Sequence, residues 1–115
     1  MDHRIALGRA GEDRAADWYV ARGYRILERN WRSKVGELDL ICARGDVVVF
    51  CEVKTRRSDR LGGPAEAVTR SKQRRLRRLA AEYLRSSTWV CGPRDVRFDI
   101  VAILGGELSV MEAAF

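Results

Sequence analysis

The stretch Val47-Val48-Val49-Phe50-Cys51-Glu52-Val53-Lys54 is the most apolar run of the chain, and it carries a carboxylate and an ammonium in its second half. A short run of β-branched and aromatic residues predicts a buried strand. Burying an unpaired charge is costly unless a partner or a metal compensates it. Glu52-x-Lys54 is therefore expected to be kept in this strand for chemistry.

Immediately upstream, Val35 to Cys42 predicts a second strand, joined to the first by a turn around Ala43-Arg44-Gly45-Asp46. This strand contains Gly36-Glu37-Leu38-Asp39-Leu40-Ile41, with Asp39 thirteen residues before Glu52. With Arg44-Gly45 as a two-residue turn, Asp39 faces Phe50 and Glu37 faces Glu52. Asp39, Glu52 and Lys54 then share one face of the sheet. The diagonal Asp39–Glu52 separation is roughly 7–8 Å by backbone position, a gap that two carboxylate arms can close around one ion.

Farther out, residues 5 to 22 predict a helix ended by Gly23, with Ala15, Ala16, Tyr19 and Val20 on its apolar stripe. Glu12 shares the phase of that stripe, whereas Asp13 and Asp17 do not. A strand is expected from Tyr24 to Arg32, and a loop over 55 to 68 around Gly62-Gly63-Pro64. A second helix follows from Thr69 to Ser86, with Leu76, Leu79, Ala80, Tyr83 and Leu84 facing the core. A strand from Val96 to Leu104 and a short one near Leu108 to Glu112 complete the chain. The expected architecture is a single α/β domain over residues 1–115, in the order α-β-β-β-α-β, with a mixed central sheet flanked by helices.

Composition narrows the chemistry. The chain has 115 residues, a net charge of +6 and one histidine, His3. A lone histidine near the terminus excludes a Ser-His-Asp triad, a Cys-His dyad and a His-ligated metal cluster. The three cysteines, Cys42, Cys51 and Cys91, form no CxxC pair, which points to a reducing, cytoplasmic setting and away from a zinc ribbon or disulfide framework. No segment has the length of a membrane span, and Met1-Asp2-His3-Arg4 lacks the apolar core of a signal peptide.

What remains is carboxylate and lysine chemistry. Asp39 and Glu52 supply the one or two carboxylates that Mg²⁺, or Mn²⁺ in its place, takes from a protein while retaining water and binding phosphate oxygens. Lys54 is placed to orient a water or stabilise developing phosphorane charge, and Glu12 to help hold the metal or its water. The alternative is a metal-free ion pair of Asp39 and Glu52 with Lys54. Between Arg70 and Arg78, six of nine residues are basic: Arg70, Lys72, Arg74, Arg75, Arg77 and Arg78. Their like-charge i, i+4 spacing and their place in the N-terminal half of a helix oppose stability, so phosphate binding is the expected reason for them. Gln73 lies beside the apolar stripe, from which it either reaches the site or packs.

Taken together, Gly11-Glu12, Gly23-Tyr24, Asn30-Trp31-Arg32, Gly36-Glu37-Leu38-Asp39-Leu40-Ile41, Glu52-Val53-Lys54-Thr55-Arg56, Pro64-x-Glu66-Ala67-Val68 and Arg97-Phe98-Asp99 resemble the YraN family over nearly the whole chain. The resemblance implies the PD-(D/E)XK nuclease superfamily, with its restriction-endonuclease-like core, and similarity to archaeal Holliday junction resolvases. It implies a Mg²⁺-dependent endonuclease acting on DNA, including branched or structured DNA. Glu12 matches the helical acid, Asp39 the metal-binding Asp, and Glu52 and Lys54 the (D/E)-x-K pair. Arg56 joins the helix arginines as an expected nucleic-acid contact, and Gln73 corresponds to the helical glutamine of RecB-like members. Leu38 replaces the proline that names the superfamily, and Arg77 stands where those members carry a tyrosine. Junction cleavage in relatives needs two active sites, which makes a homodimer the assembly to test. The competing readings are a non-catalytic nucleic-acid-binding module on the same scaffold, and an interaction domain in DNA metabolism using exposed aromatics such as Trp89.

Overall fold

The computed structural model describes residues 3–57, 68–86 and 95–115. The elements are α1 (His3–Val20), β1 (Arg25–Arg32), β2 (Glu37–Arg44), β3 (Val47–Arg56), α2 (Arg70–Ser86), β4 (Asp95–Leu104) and β5 (Glu107–Met111). They follow the expected order. Gly62-Gly63-Pro64, Glu66, Trp89 and Cys91 lie outside the described residues.

The five strands form one sheet in the order β1-β2-β3-β4-β5. Only β3 and β4 run parallel, as the α2 crossover between them requires. The helices cover opposite faces. Ala15, Ala16 and Tyr19 of α1 pack on Leu40, Cys42, Val49, Cys51, Val101 and Ile103. Leu76, Leu79, Ala80 and Tyr83 of α2 pack on Leu38, Ile41, Ala43, Val48, Phe50, Phe98 and Ile100. At Gly11, α1 comes so close to β3 that an added Cβ would land on Thr55 Oγ1. With both faces covered, β3 has to be apolar through most of its length.

The hairpin register differs from the expected one. The turn is Gly45-Asp46, with Arg44 paired to Val47 and Leu40 to Cys51. Gly45 has φ +61° and Asp46 is not in the left-handed region, as a two-residue turn with glycine at its first central position requires. The shift of two residues preserves which face each side chain occupies. It moves Asp39 from the diagonal toward the position opposite Glu52. Glu37 pairs with Arg32 of β1 instead, across a 2.8 Å ion pair.

A second irregularity lies at Asp39 itself. Leu38 belongs to the α2-side core and Leu40 to the α1-side core, although regular alternation would put them together. On β1, Arg29 reaches Asp13 of α1, whereas Trp31 packs edge-on against Tyr83 of α2 at 5.6 Å. Both strands thus change face between the Arg29–Leu40 and Trp31–Leu38 pairs, at Asn30 and Asp39. Asn30 has φ +53°, a left-handed conformation that asparagine tolerates better than most residues.

Candidate active site

Beyond Leu40–Cys51 the β2–β3 ladder stops. There the Asp39 carboxylate accepts a 2.9 Å hydrogen bond from the Val53 amide, a donor that would otherwise continue the ladder. Asp39 is thereby fixed in the cleft where the two strands part. Its carboxyl is pushed up to about 7, by burial first and by the negative charge of Glu52 second. The Val53 amide opposes that shift, and Glu12 and Glu37 add to it.

Asp39, Glu52 and Lys54, expected on one face of the sheet, and Glu12 of α1 are divided around this cleft. Glu52 continues the Val48–Phe50 series onto the α2 side and is 7% exposed. Its Oε1 meets Lys54 Nζ at 3.1 Å. Glu12 approaches from α1, on the other side. Asp39, at the face switch, lies between the two acids and is electrostatically coupled to both. Burial raises the Glu12 carboxyl above its ordinary value, against an Asn30 hydrogen bond and the Arg29 charge. Glu12 Oε2 is nevertheless buried with no hydrogen-bond partner among the described residues, and so is Thr55 Oγ1. A cavity of about 410 Å³ opens here, lined by Leu7, Gly8, Glu12, Asp39, Val53, Lys54, Thr55 and Arg56.

Lys72 departs from its expected place among the phosphate-binding residues. Its Nζ lies 2.6 Å from Glu52 Oε1, closer than Lys54, and its side chain is 19% exposed. Lys54 is therefore not the only cation beside the acids. Burial lowers the Lys72 pKa despite Glu52. Burial also pulls Lys54 down, but the charge and hydrogen bond of the Glu52 carboxylate outweigh it and leave Lys54 raised. The sequence carried a signal for this placement. Lys72 precedes Leu76, Leu79, Ala80 and Tyr83 by four, seven, eight and eleven residues, which is the phase of the core stripe.

The other α2 residues also sort by phase. Gln73 packs, donating from Nε2 to the Val68 carbonyl at 3.3 Å, and does not reach the acids. Arg77 lies over the rings of Phe98 and Phe115, at 4.9 and 5.4 Å, so its guanidinium is partly committed to holding the C-terminal segment. Arg70, Arg74, Arg75 and Arg78 are exposed, and Arg56 borders the cavity. Cys42 and Cys51 are buried and unpaired. Burial pushes the Cys42 thiol up to about 12 and Cys51 well above its ordinary value, so both act as small apolar groups.

Among the described residues, no three His, Cys, Asp or Glu side chains form a ligand set of their own. That excludes a zinc-type site built from these side chains. Mg²⁺ or Mn²⁺ would need less from the protein, one or two carboxylates, with water and substrate oxygens completing the shell. Asp39 and Glu52 are the residues that would have to hold such an ion. No helix among the described residues is long and apolar enough to cross a membrane.

Comparison with known proteins agrees along the same stretch. A family model described as uncharacterised protein family UPF0102 matches residues 11–103. A UPF0102 protein of Rhodococcus opacus is 56% identical over 108 residues, covering 92% of this chain and 88% of that protein. One from Symbiobacterium thermophilum is 52% identical over 106 residues, covering 92% and 86%. One from Mycolicibacterium vanbaalenii is 47% identical over 113 residues, covering 96% and 90%. The match contains Glu12, Asp39, Glu52, Lys54 and the whole of α2, and on this similarity the chain belongs to the UPF0102, or YraN, family.

Proposed function

We propose that this protein is a divalent-metal-dependent endonuclease that hydrolyses DNA phosphodiester bonds, with branched or structured DNA as its substrate class. The observation that carries the reading is the Asp39–Glu52 pair at the parting of β2 and β3, with Lys54 beside it and an unpartnered Glu12 oxygen across the cleft. Like charges brought together at a cost to folding are characteristic of functional sites. A Mg²⁺ or Mn²⁺ ion held there would acidify a water for attack on phosphorus and neutralise charge on the phosphate.

The chain's own groups supply the rest. Asp39 and Glu52 would hold the ion, for which Asp39 would have to be deprotonated. Lys54, on a strand and therefore well positioned, donates to the attacking water or to the developing oxyanion. Glu12 Oε2 is an open acceptor for a water in the cavity. The exposed Arg70, Arg74, Arg75 and Arg78, with Arg56 at the cavity, offer sequence-independent contacts to the DNA backbone.

One observation favours a second reading. Glu52 is already neutralised by two lysines, which suits a nucleic-acid-binding or DNA-metabolism interaction module that has retained a nuclease scaffold. Incubation with supercoiled, linear, flapped and four-way DNA and Mg²⁺ or Mn²⁺ separates the two readings. Cleavage that disappears in Asp39→Ala supports the nuclease. Binding without cleavage of any of these substrates supports the module. Sedimentation of the protein with and without four-way DNA tests for the homodimer that paired junction cuts would require.

A further inference from the structure

Of the chain's 22 basic residues only Lys34, Lys54 and Lys72 are lysines. Lys34 is exposed, whereas the other two converge on a single oxygen, Glu52 Oε1, at 3.1 and 2.6 Å. Both side chains are mostly buried, 23% exposed for Lys54 and 19% for Lys72. An ammonium is a compact charge on a flexible stem that can change partners, whereas a guanidinium forms a planar fork suited to fixed bidentate contacts.

The position of Lys72 is unfavourable for the helix that carries it. Thr69 caps α2: its Oγ1 accepts the Lys72 amide at 3.2 Å and its carbonyl accepts the Gln73 amide at 2.8 Å. Lys72 thus stands at the third helical position, where an acid would complete a capping box and the helix dipole repels a cation. Lys54 alone is enough to pair with Glu52. A second buried ammonium on the same oxygen is surplus to the ion pair, and it comes from the first turn of the helix that also presents Arg70, Arg74 and Arg78.

We propose that Lys72 is an exchangeable counter-ion. In the free protein it holds Glu52; once Glu52 turns to a divalent cation, Lys72 moves to a phosphate of the bound DNA strand. The inference rests on the metal-site reading of Asp39 and Glu52. Its physical basis is charge balance: an ammonium displaced from Glu52 faces a cation at short range and needs a new anion, and the substrate backbone provides one. Cation binding and DNA binding are then coupled through one side chain, and the coupling must be reciprocal.

Lys72→Met tests this with two affinities of opposite sign, neither of which depends on turnover. Without DNA, the variant is expected to bind Mn²⁺ more tightly than wild type by about five-fold or more, measured by calorimetry, because no internal cation competes. In Ca²⁺, used to hold the complex without cleavage, it is expected to bind four-way DNA more weakly, and the gain in DNA affinity produced by Ca²⁺ should shrink by a similar factor. If Mn²⁺ and DNA affinities are unchanged, or Mn²⁺ binds more weakly, Lys72 is a fixed structural cation and the proposal is overturned while the metal site stands. If neither protein binds Mn²⁺ or Ca²⁺ at millimolar concentration, the metal-site reading itself fails. Should Lys72→Met not fold, acylation of wild-type lysines read by mass spectrometry replaces it, with Lys34 as the exposed reference. Lys72 is expected to be slow to react in the free protein, faster with Mn²⁺, and slow again with Ca²⁺ and DNA together. Reactivity that does not respond to the cation overturns the exchange.

Discussion

Two acids stand on the strands that flank β3, fully buried Asp99 on β4 and partly buried Asp39 on β2, and the protein treats them oppositely. Asp99 is completely buried, and four donors satisfy it. Its Oδ1 accepts from Arg97 Nε at 2.9 Å and from the Ala113 amide at 3.0 Å. Its Oδ2 accepts from Tyr19 OH at 2.6 Å and from Arg97 Nη2 at 2.9 Å. Arg97 also donates to Tyr24 OH at 3.0 Å. This network ties α1, β4 and the C-terminal segment together and leaves neither carboxylate oxygen open. Among the described residues Asp39 has one donor, the Val53 amide, and negative neighbours in Glu52, Glu12 and Glu37. A fully satisfied buried network rigidifies a fold, whereas a partly satisfied one costs stability. Asp99 is a structural lock, and the Asp39 cluster is an open site.

The largest effect that could break this comparison is at Asp99. Asp99→Asn should destabilise the protein by about 3–5 kcal/mol, because Arg97 and Tyr19 lose the anion that pairs them, and urea denaturation measures the loss. A cost below that of an ordinary surface substitution would mean that Asp99 is not the lock.

Asp39→Asn should act in the other direction. With the folded Asp39 pKa near 7, the native state holds a proton that the unfolded state has released once the pH exceeds about 4. Stability from this group is therefore complete below about pH 4 and lost as the pH rises through 7. The wild type should lose on the order of 4 kcal/mol between those limits, with Glu12 adding to the slope in the same sense. Asp39→Asn should flatten the slope, be the more stable protein at pH 8, and bind no Mn²⁺. Thermal melts across that range, with and without Mn²⁺, measure all three. A steeper slope in the variant would reverse the assignment of cost to Asp39.

Lys54→Ala sharpens the comparison from the basic side. Metal binding should survive and cleavage fall. The apo protein should lose about 1 kcal/mol, a loss limited by Lys72, which remains on Glu52. The smallest effect per residue belongs to the exposed helix face. Neutralising Arg74 and Arg78 together should leave the melt unchanged, weaken DNA binding regardless of sequence and lower the salt slope by about two units. An unchanged slope in a salt titration would place the phosphate contacts elsewhere.

Much of this was legible in the chain because it follows from local periodicity. The apolar run of β3, the stripe of α2 and the phase of Glu12 on α1 each bury a side chain whose burial can be read from its spacing. The register was harder. Gly45 can enter a tight turn at either central position, and only the pairing of Arg44 with Val47 selects one. Lys72 was readable in phase but hidden by composition, because a lysine inside an arginine-rich helix looks like one more solvent-facing cation. Its partner, Glu52, is twenty residues away in sequence.

By itself, then, the sequence determined the α-β-β-β-α-β order, the burial of Glu52 and Lys54 within an apolar strand, and the basic character of α2. Side-chain chemistry at spacings of two and 3.6 residues is enough for these features. Only the tertiary structure decided that β1 and β2 change face together at Asn30 and Asp39, that the Asp39 carboxylate takes over the Val53 amide, and that α2 delivers Lys72 to Glu52. Each of these depends on how separate elements meet, where the competition for one hydrogen-bond donor or one carboxylate oxygen is settled by packing on both faces of the sheet and not by any local preference of the chain.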